Sequence, residues 1–243
     1  VRSGYPEELV ASALTPFEAP SSIRILEIGC GTGQATRLFA DHDCEILAIE
    51  PGTNLAAIAA RNLSKKPRVS FENCRFEDWK LEVASFDLVL AAVSIYWVDA
   101  TVRYQKIAAA LKPEGYFASL WNEEWVSEDD VQEALTKVHF SVFDSSHPLY
   151  PKNKIPQEPH FFASEISECK LFSDVSIIEH PTWKTVRSKQ DYIKFLLTKS
   201  GYAILPDEKK DELSSGIEEV LDRNGGQVEM TNVATLYLAQ KRS

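Results

Sequence analysis

One stretch constrains the whole chain: Ile25-Leu26-Glu27-Ile28-Gly29-Cys30-Gly31-Thr32-Gly33-Gln34. A run of buried-strand character enters three glycines at alternate positions, and a helical pattern follows at once. Glycine lacks a Cβ, so the backbone can turn sharply with positive φ and a ligand can lie against the main chain. A parallel strand feeding a helix through such a turn makes the C-terminal edge of an α/β sheet, where ligands bind in this architecture. The spacing is G-x-G-x-G, an incomplete match to the dinucleotide fingerprint G-x-G-x-x-G. Glu27, two residues before the first glycine, points toward the same crevice. A carboxylate there repels a pyrophosphate and attracts an ammonium or sulfonium group.

That chemistry favours S-adenosylmethionine over a nicotinamide dinucleotide. With Leu26-Glu27-Ile28-Gly29-Cys30-Gly31-Thr32-Gly33, Phe86-Asp87-Leu88-Val89-Leu90 and Leu111-Lys112-Pro113-Glu114-Gly115, the chain resembles the class I S-adenosylmethionine-dependent methyltransferases over residues 1–121. Gly4-Tyr5-Pro6, Tyr96-Trp97-Val98-Asp99, Ser200-Gly201-Tyr202 and Leu205-Pro206 make it similar to the small-molecule branch that includes trans-aconitate methyltransferases. The resemblance implies an α/β, Rossmann-like fold whose mostly parallel seven-stranded sheet has its last strand antiparallel, with a helical cap. It also implies S-adenosyl-L-methionine as cofactor and S-adenosyl-L-homocysteine as product. Related enzymes usually carry a further segment before Gly4-Tyr5-Pro6 that folds over the cofactor. In this sequence that segment is expected to be absent or cut short.

A chain of 243 residues can bury a full core, and one methyltransferase domain over 1–243 with inserted cap pieces at 122–171 and 182–228 is the natural reading. Both pieces should emerge above the C-terminal edge of the sheet and close a substrate pocket. The charge of −10, from 26 basic against 36 acidic residues, argues against nucleic acid as substrate. No basic cluster exceeds short pairs such as Lys65-Lys66 and Lys209-Lys210. The longest apolar runs are strand-sized, so no membrane span is expected, and no signal peptide is visible. Cys30, Cys44, Cys74 and Cys169 form no C-x-x-C pair and read as reduced thiols of a cytoplasmic protein. The histidines show no metal-ligand spacing, so no metal is expected. The partner expected is a small-molecule substrate, and the chain a monomer or homodimer.

The pattern predicts helix 6–14, with Pro6 at a first helical position, then strand 23–28, helix 34–41, strand 45–49 and helix 54–63. Strand 69–73, an acidic loop over 74–85, strand 86–92, helix 101–111 with Asp99 as a capping carboxylate, and strand 115–121 follow. Beyond Trp121, Ser127 and Asp130 suggest a capping box before a helix with Val131, Ala134, Leu135, Val138 and Val142 on one face. Residues 145–163, with four prolines at 148, 151, 156 and 159, read as irregular cover. Strand 175–180 precedes a helix begun by Ser188 and Asp191 and another over 207–223 that stops at Asn224-Gly225-Gly226. A strand over 231–239 ends the pattern.

The loop residues Gly29, Cys30, Gly31 and Gly33 should meet the amino-acid tail of the cofactor, with Glu27 offering charge to its ammonium. Cys30 reads as a small residue that fits a tight turn rather than as a nucleophile. Glu50, ending the second strand before Pro51, can accept both ribose hydroxyls, as the corresponding acid does in dinucleotide folds. Adenine recognition is expected from Phe76, Glu77 and Asp78. Relatives often carry an Asp where this chain has Arg75, so the acceptor for the adenine amine would be Glu77, Asp78 or a backbone carbonyl. Ala92 and Val93 should pass under the sulfonium. The resemblance places Tyr96 near the transferred methyl group, as a substrate-orienting side chain or as an aromatic wall, whereas Trp97 reads as core packing.

No Ser/His/Asp arrangement or carboxylate pair is legible, which fits methyl transfer governed by positioning; positioning can supply roughly 7–11 kcal/mol of a barrier. A carboxylate acceptor needs no base, whereas a phenol, hydroxyl or amine benefits from one. His139, His147, Tyr150, His160 and Tyr202 are the polar candidates in the cap, each weighed against a packing role. A carboxylate acceptor also calls for an Arg or Lys at the pocket. The function expected is O-methylation of a small acid or hydroxyl by in-line transfer, with N- or C-transfer open. The alternatives are a silent S-adenosylmethionine-binding regulatory or partner protein and a nicotinamide oxidoreductase.

Overall fold

The computed structural model describes residues 4–19, 23–143 and 161–242, which fall into two compact units. The core unit comprises 4–122, 161–180 and 234–242, and the second unit 123–143 and 181–233.

In the core unit, α1 (Glu7–Leu14) precedes β1 (Arg24–Ile28), α2 (Gln34–Ala40), β2 (Glu45–Ile49), α3 (Thr53–Asn62) and β3 (Val69–Glu72). Then come β4 (Phe86–Ala92), a single 3-10 turn at Ile95–Trp97, α4 (Arg103–Ala110) and β5 (Leu111–Val126), whose residues from Glu123 on belong to the second unit. Pro6 is the N-cap of α1 in extended geometry rather than its first helical residue. β1 pairs in parallel with β2 and with β4, so that Ile25 lies opposite both Ile46 and Leu88. From β1 the chain builds outward to β3 and returns to the other side of β1 as β4, giving the order β3-β2-β1-β4-β5. The reversal of strand order between β1 and β4 opens a crevice at their carboxyl ends. Strands covered on both faces read as continuous apolar runs, and Ile25, Leu26, Val89 and Leu90 are fully buried.

The later α6 (Phe161–Glu168) and β6 (Ser176–Glu179) also belong to the core unit. Its last strand is the second half of β8 (Gln227–Gln240), which runs antiparallel to β6, Ile177 opposite Tyr237, and completes the order as β5-β8-β6. The mostly parallel sheet with an antiparallel last strand is as expected.

The second unit contains α5 (Asp129–Val142), β7 (Trp183–Ser188), α7 (Lys189–Leu197), α8 (Ser200–Ala203), α9 (Asp207–Asp222) and the first half of β8. β7 is one strand more than the seven read from the pattern, and it pairs antiparallel with Gln227–Asn232 of β8. Leu135, Phe195, Leu213, Ile217 and Leu221 form this unit's apolar centre. Ser188 caps α7 by accepting the Asp191 N–H, while Gly226 closes α9 through a 2.8 Å bond to the Leu221 carbonyl. The expected capping box at α5 does not form. Ser127 pairs with Thr231 at 2.8 Å, and the Val126 N–H donates to the Gln132 side chain instead. His147, Tyr150, His160 and the proline stretch before 160 lie outside the described residues. Among the described residues no helix is long and apolar enough to cross a membrane.

Candidate functional site

The site begins where β1 ends. Gly29, Gly31 and Gly33 all adopt positive φ, at 69°, 58° and 84°, a region that costs an ordinary L-residue roughly 1–2 kcal/mol. Gly29 donates its N–H to the Ile49 carbonyl at 2.8 Å, and a Cβ on it would stand 2.8 Å from the Cβ of Ser94. At Gly31 a Cβ would meet nothing within 4 Å. The tip of the loop is therefore glycine not for packing but for backbone conformation and open space. Cys30 is buried, its thiol pushed up by burial and then by the charges of Glu27 and Glu50, which fits a filler and not a nucleophile.

Two carboxylates flank this loop. Glu50, just past β2 and only 6% exposed, accepts N–H bonds from Gly31 and Gly52, both at 2.8 Å. A carboxylate has about four acceptor positions, so both oxygens retain capacity for a further donor. Asn73, which sequence reasoning missed, holds the Glu50 and Pro51 carbonyls at 2.7 and 3.1 Å and fixes the end of β2.

Glu27 lies within β1 at 1% exposure, and neither of its oxygens has a hydrogen-bond partner among the described residues. Burial pushes its carboxyl up to about 7; Thr36 beside it pulls the other way without closing a bond, and the Glu50 charge raises it further. An unpaired buried carboxylate is costly. A bound cation is what would relieve it.

After β3, the Phe76 side chain stacks on Trp79 at 6.1 Å within the core, so only its backbone is available to a ligand. The Glu77 carboxylate accepts the Asp99 N–H at 3.0 Å and pairs with Arg75 at 3.1 Å, whereas Asp78 is exposed. Asp99 itself accepts from Thr101 ahead of α4. After β4, Val93 takes a φ of 51° and donates to the Leu120 carbonyl at 2.9 Å. Strained non-glycine backbone of this kind gathers at ligand sites. Ser94, also missed from sequence, donates its hydroxyl to the Ile28 carbonyl at the foot of the glycine loop. The Tyr96 ring packs against Trp97 at 4.9 Å and edge-on to Trp121 at 5.7 Å. Trp97 is 54% exposed, so its expected place in the core is corrected.

The structure thus brings Glu27, Gly29, Gly31, Glu50, Val93 and Ser94 around the carboxyl ends of β1, β2 and β4. In the second unit, His139 stands between the Tyr202 hydroxyl at 3.0 Å and that of Tyr192 at 3.5 Å. Burial, then the charge of Lys199, lowers His139 to about 4, leaving it neutral. Arg187 and Lys199 flank Glu124 at 3.4 and 3.9 Å.

Residues 25–115 match the model of a methyltransferase domain. Over this part the chain is similar to the class I S-adenosylmethionine-dependent methyltransferases. A Saccharomyces cerevisiae protein named a "probable S-adenosylmethionine-dependent methyltransferase" is 29% identical over 122 residues, 49% of this chain and 42% of that protein. The trans-aconitate 2-methyltransferase of Variovorax paradoxus is 30% identical over 101 residues, 41% of this chain and 38% of its own length. The chain thus spans less than half the length of these two relatives. Among solved structures, phosphoethanolamine N-methyltransferase 2 of Haemonchus contortus has a TM-score of 0.54 at 19% identity, covering 97% of this chain and 52% of that one. The residues here fit the cofactor of those similar proteins, S-adenosylmethionine: Glu27 has no hydrogen-bond partner among the described residues, the tip of the loop is open at Gly31, and Glu50 retains acceptor capacity for a diol.

Proposed function

We propose that this methyltransferase acts on a small-molecule acceptor, by O-methylation of a carboxylate or hydroxyl, with Glu27, Gly29, Cys30, Gly31, Gly33, Glu50, Pro51, Phe76, Glu77, Asp78, Ala92 and Val93 forming its cofactor site. The observation that carries the reading is the buried Glu50 carboxylate bonded to the Gly31 N–H at 2.8 Å, with the unpaired Glu27 carboxylate beneath the same loop. Bound S-adenosylmethionine would supply a methyl group activated by its sulfonium. Glu27 would hold the tail ammonium, Glu50 the ribose hydroxyls, and the backbone of Phe76-Glu77 the adenine ring. Asp78 is the better acceptor for the adenine amine, since the Glu77 carboxylate is engaged by Asp99 and Arg75. Tyr96 would orient the acceptor oxygen.

A carboxylate acceptor is favoured because a similar protein is named for trans-aconitate. The pieces over 122–171 and 182–228 are proposed as a cap for the acceptor. Four free cysteines fit a cytoplasmic setting. The test is S-adenosylhomocysteine formation with trans-aconitate, related di- and tricarboxylates and phenols, alongside calorimetric titration with S-adenosylhomocysteine. Turnover of an acid supports the reading. Binding without turnover of any acid or phenol favours a silent cofactor-binding protein, and absence of binding removes the site.

A further inference from the structure

Arg103 is a residue with two reasons not to be where it is. It occupies the first position of α4, where the helix dipole disfavours a cation, and its side chain is only 7% exposed, which strips a guanidinium of water. A buried ion pair is weak evidence of stability, because desolvation offsets the attraction. What the arrangement does provide is a fixed geometry. One guanidinium nitrogen, Nη2, pairs with the carboxylate of Glu165 on α6, whose second oxygen accepts the Tyr104 hydroxyl at 3.1 Å. The other, Nη1, stands 3.5 Å from the carbonyl of Ile95, the residue directly before Tyr96. That carbonyl also accepts the Val98 N–H at 3.1 Å, so both its lone pairs are engaged at the turn.

The same helix reaches Tyr96 by a second route. Phe162, one turn before Glu165, packs on Trp121 at 4.9 Å, and Trp121 meets the Tyr96 ring edge-on at 5.7 Å. α6 therefore holds the backbone in front of Tyr96 through Glu165 and Arg103, and the ring of Tyr96 through Phe162 and Trp121. All of these residues lie in the core unit. The beginning of the turn is fixed separately, by the Ser94 hydroxyl on the Ile28 carbonyl.

We infer that Arg103, oriented by Glu165, is a positioning residue that sets Tyr96 against the transferred methyl group. The inference rests on the reading of Tyr96 given under the proposed function. S-adenosylmethionine and S-adenosylhomocysteine differ only in that methyl group and its charge, so the ratio of their dissociation constants reads the surroundings of the methyl without any acceptor. The experiment is calorimetric titration of the full chain with both, for wild type, Arg103→Met, Arg103→Lys, Glu165→Gln, Tyr96→Ala and the Tyr96→Ala/Glu165→Gln double variant. Arg103→Met and Glu165→Gln should each change the ratio about threefold or more while leaving S-adenosylhomocysteine affinity within about twofold, and Tyr96→Ala should do the same without additivity in the double variant. Lysine keeps the charge but lacks the planar, rigid fork that spans Glu165 and the Ile95 carbonyl, so Arg103→Lys should restore the ratio only in part.

A fall in melting temperature with an unchanged ratio would make the pair merely structural and overturn the inference. Additive effects with Tyr96→Ala would equally overturn the route through Tyr96. Should Arg103→Met fail to fold, Glu165→Gln and Arg103→Lys decide the matter alone. Wild-type protein that binds neither compound would instead overturn the cofactor reading itself, a result distinct from the others.

Discussion

The backbone N–H of Gly31 donates a 2.8 Å hydrogen bond to the carboxylate of Glu50. Through it the tip of the loop after β1 and the end of β2 become one surface, and the chain organises its candidate site with a single buried acid. The other oxygen of that acid accepts from Gly52 at 2.8 Å, which fixes the turn into α3 as well. An acidic side chain at the end of an otherwise apolar strand is costly unless it is bonded. Here it is bonded on both oxygens and still has lone pairs left.

Replacing Glu50 should therefore act on binding more than on folding. Glu50→Gln keeps the shape but loses charge-assisted bonds, each worth roughly 1.5–3 kcal/mol, so S-adenosylhomocysteine affinity should fall at least about tenfold. Unfolding by urea should show a loss of roughly 1–2 kcal/mol, from the Gly31 and Gly52 donors left with a poorer acceptor. Calorimetry showing unchanged affinity would take Glu50 out of the site.

Glu27 predicts a pH dependence. Its carboxyl is raised by burial from 4.5 to about 7, so between those values the folded chain holds a proton that the unfolded chain has released. Stability from this group is full below pH 4.5 and declines as pH rises toward 7. Glu27→Gln should remove that decline, so that its melting temperature falls further than wild type's as pH drops from 7 toward 4.5. A bound ammonium favours the charged carboxylate, so titration with S-adenosylhomocysteine at pH values below 7 should release protons. The binding heat should then differ between buffers of unlike ionisation enthalpy in wild type and not in Glu27→Gln. Equal heats in both buffers would contradict the prediction.

The parts legible in sequence are those whose signals are local. Glycines at alternate positions, apolar strands covered on both faces and Ser188 three residues before Asp191 each state their own geometry within a few residues. β7 was not legible because Trp183–Ser188 has a half-exposed alternation that becomes a strand only opposite Gln227–Asn232. Ser127 looked like a cap, yet Thr231, 104 positions away in sequence, takes its hydroxyl. Arg103 and Glu165 are 62 positions apart and share no motif. Trp97 follows Tyr96 in a turn whose geometry faces one ring inward and leaves the next half in solvent, which residue type alone does not decide. Glu50 and Glu27 could be singled out from position, but that one is doubly bonded and the other unpaired is a matter of three-dimensional neighbours.

Gly29 and Gly31 should separate folding from binding. Alanine at Gly29 pays the left-handed penalty and also brings its Cβ to 2.8 Å from that of Ser94, so a loss above about 2 kcal/mol is expected. Alanine at Gly31 meets no neighbour within 4 Å. It should lose only the roughly 1–2 kcal/mol of the backbone term, while its methyl group fills the open side of the loop and weakens S-adenosylhomocysteine binding at least about tenfold. Urea unfolding and calorimetry on both variants check the contrast. Equal binding losses at equal stability would mean that the open side of Gly31 does not face the ligand.

His139 should show the opposite pH dependence to Glu27. Burial lowers it to about 4 from an ordinary 6.5, so between those values the unfolded chain is protonated and the folded chain is not. Its contribution is full above pH 6.5 and is lost as pH falls toward 4. Because this window overlaps that of Glu27, the wild-type profile alone mixes two slopes of opposite sign. His139→Gln separates them: its amide can still meet the Tyr202 and Tyr192 hydroxyls but does not titrate. Relative to wild type, the variant should lose less stability between pH 6.5 and 4, by an amount on the order of 3 kcal/mol. The Glu27→Gln variant should lose more over the same interval. Melting curves of the three proteins at several pH values in that interval decide it, and parallel profiles for His139→Gln and wild type would show that His139 is accessible to protons in the folded state.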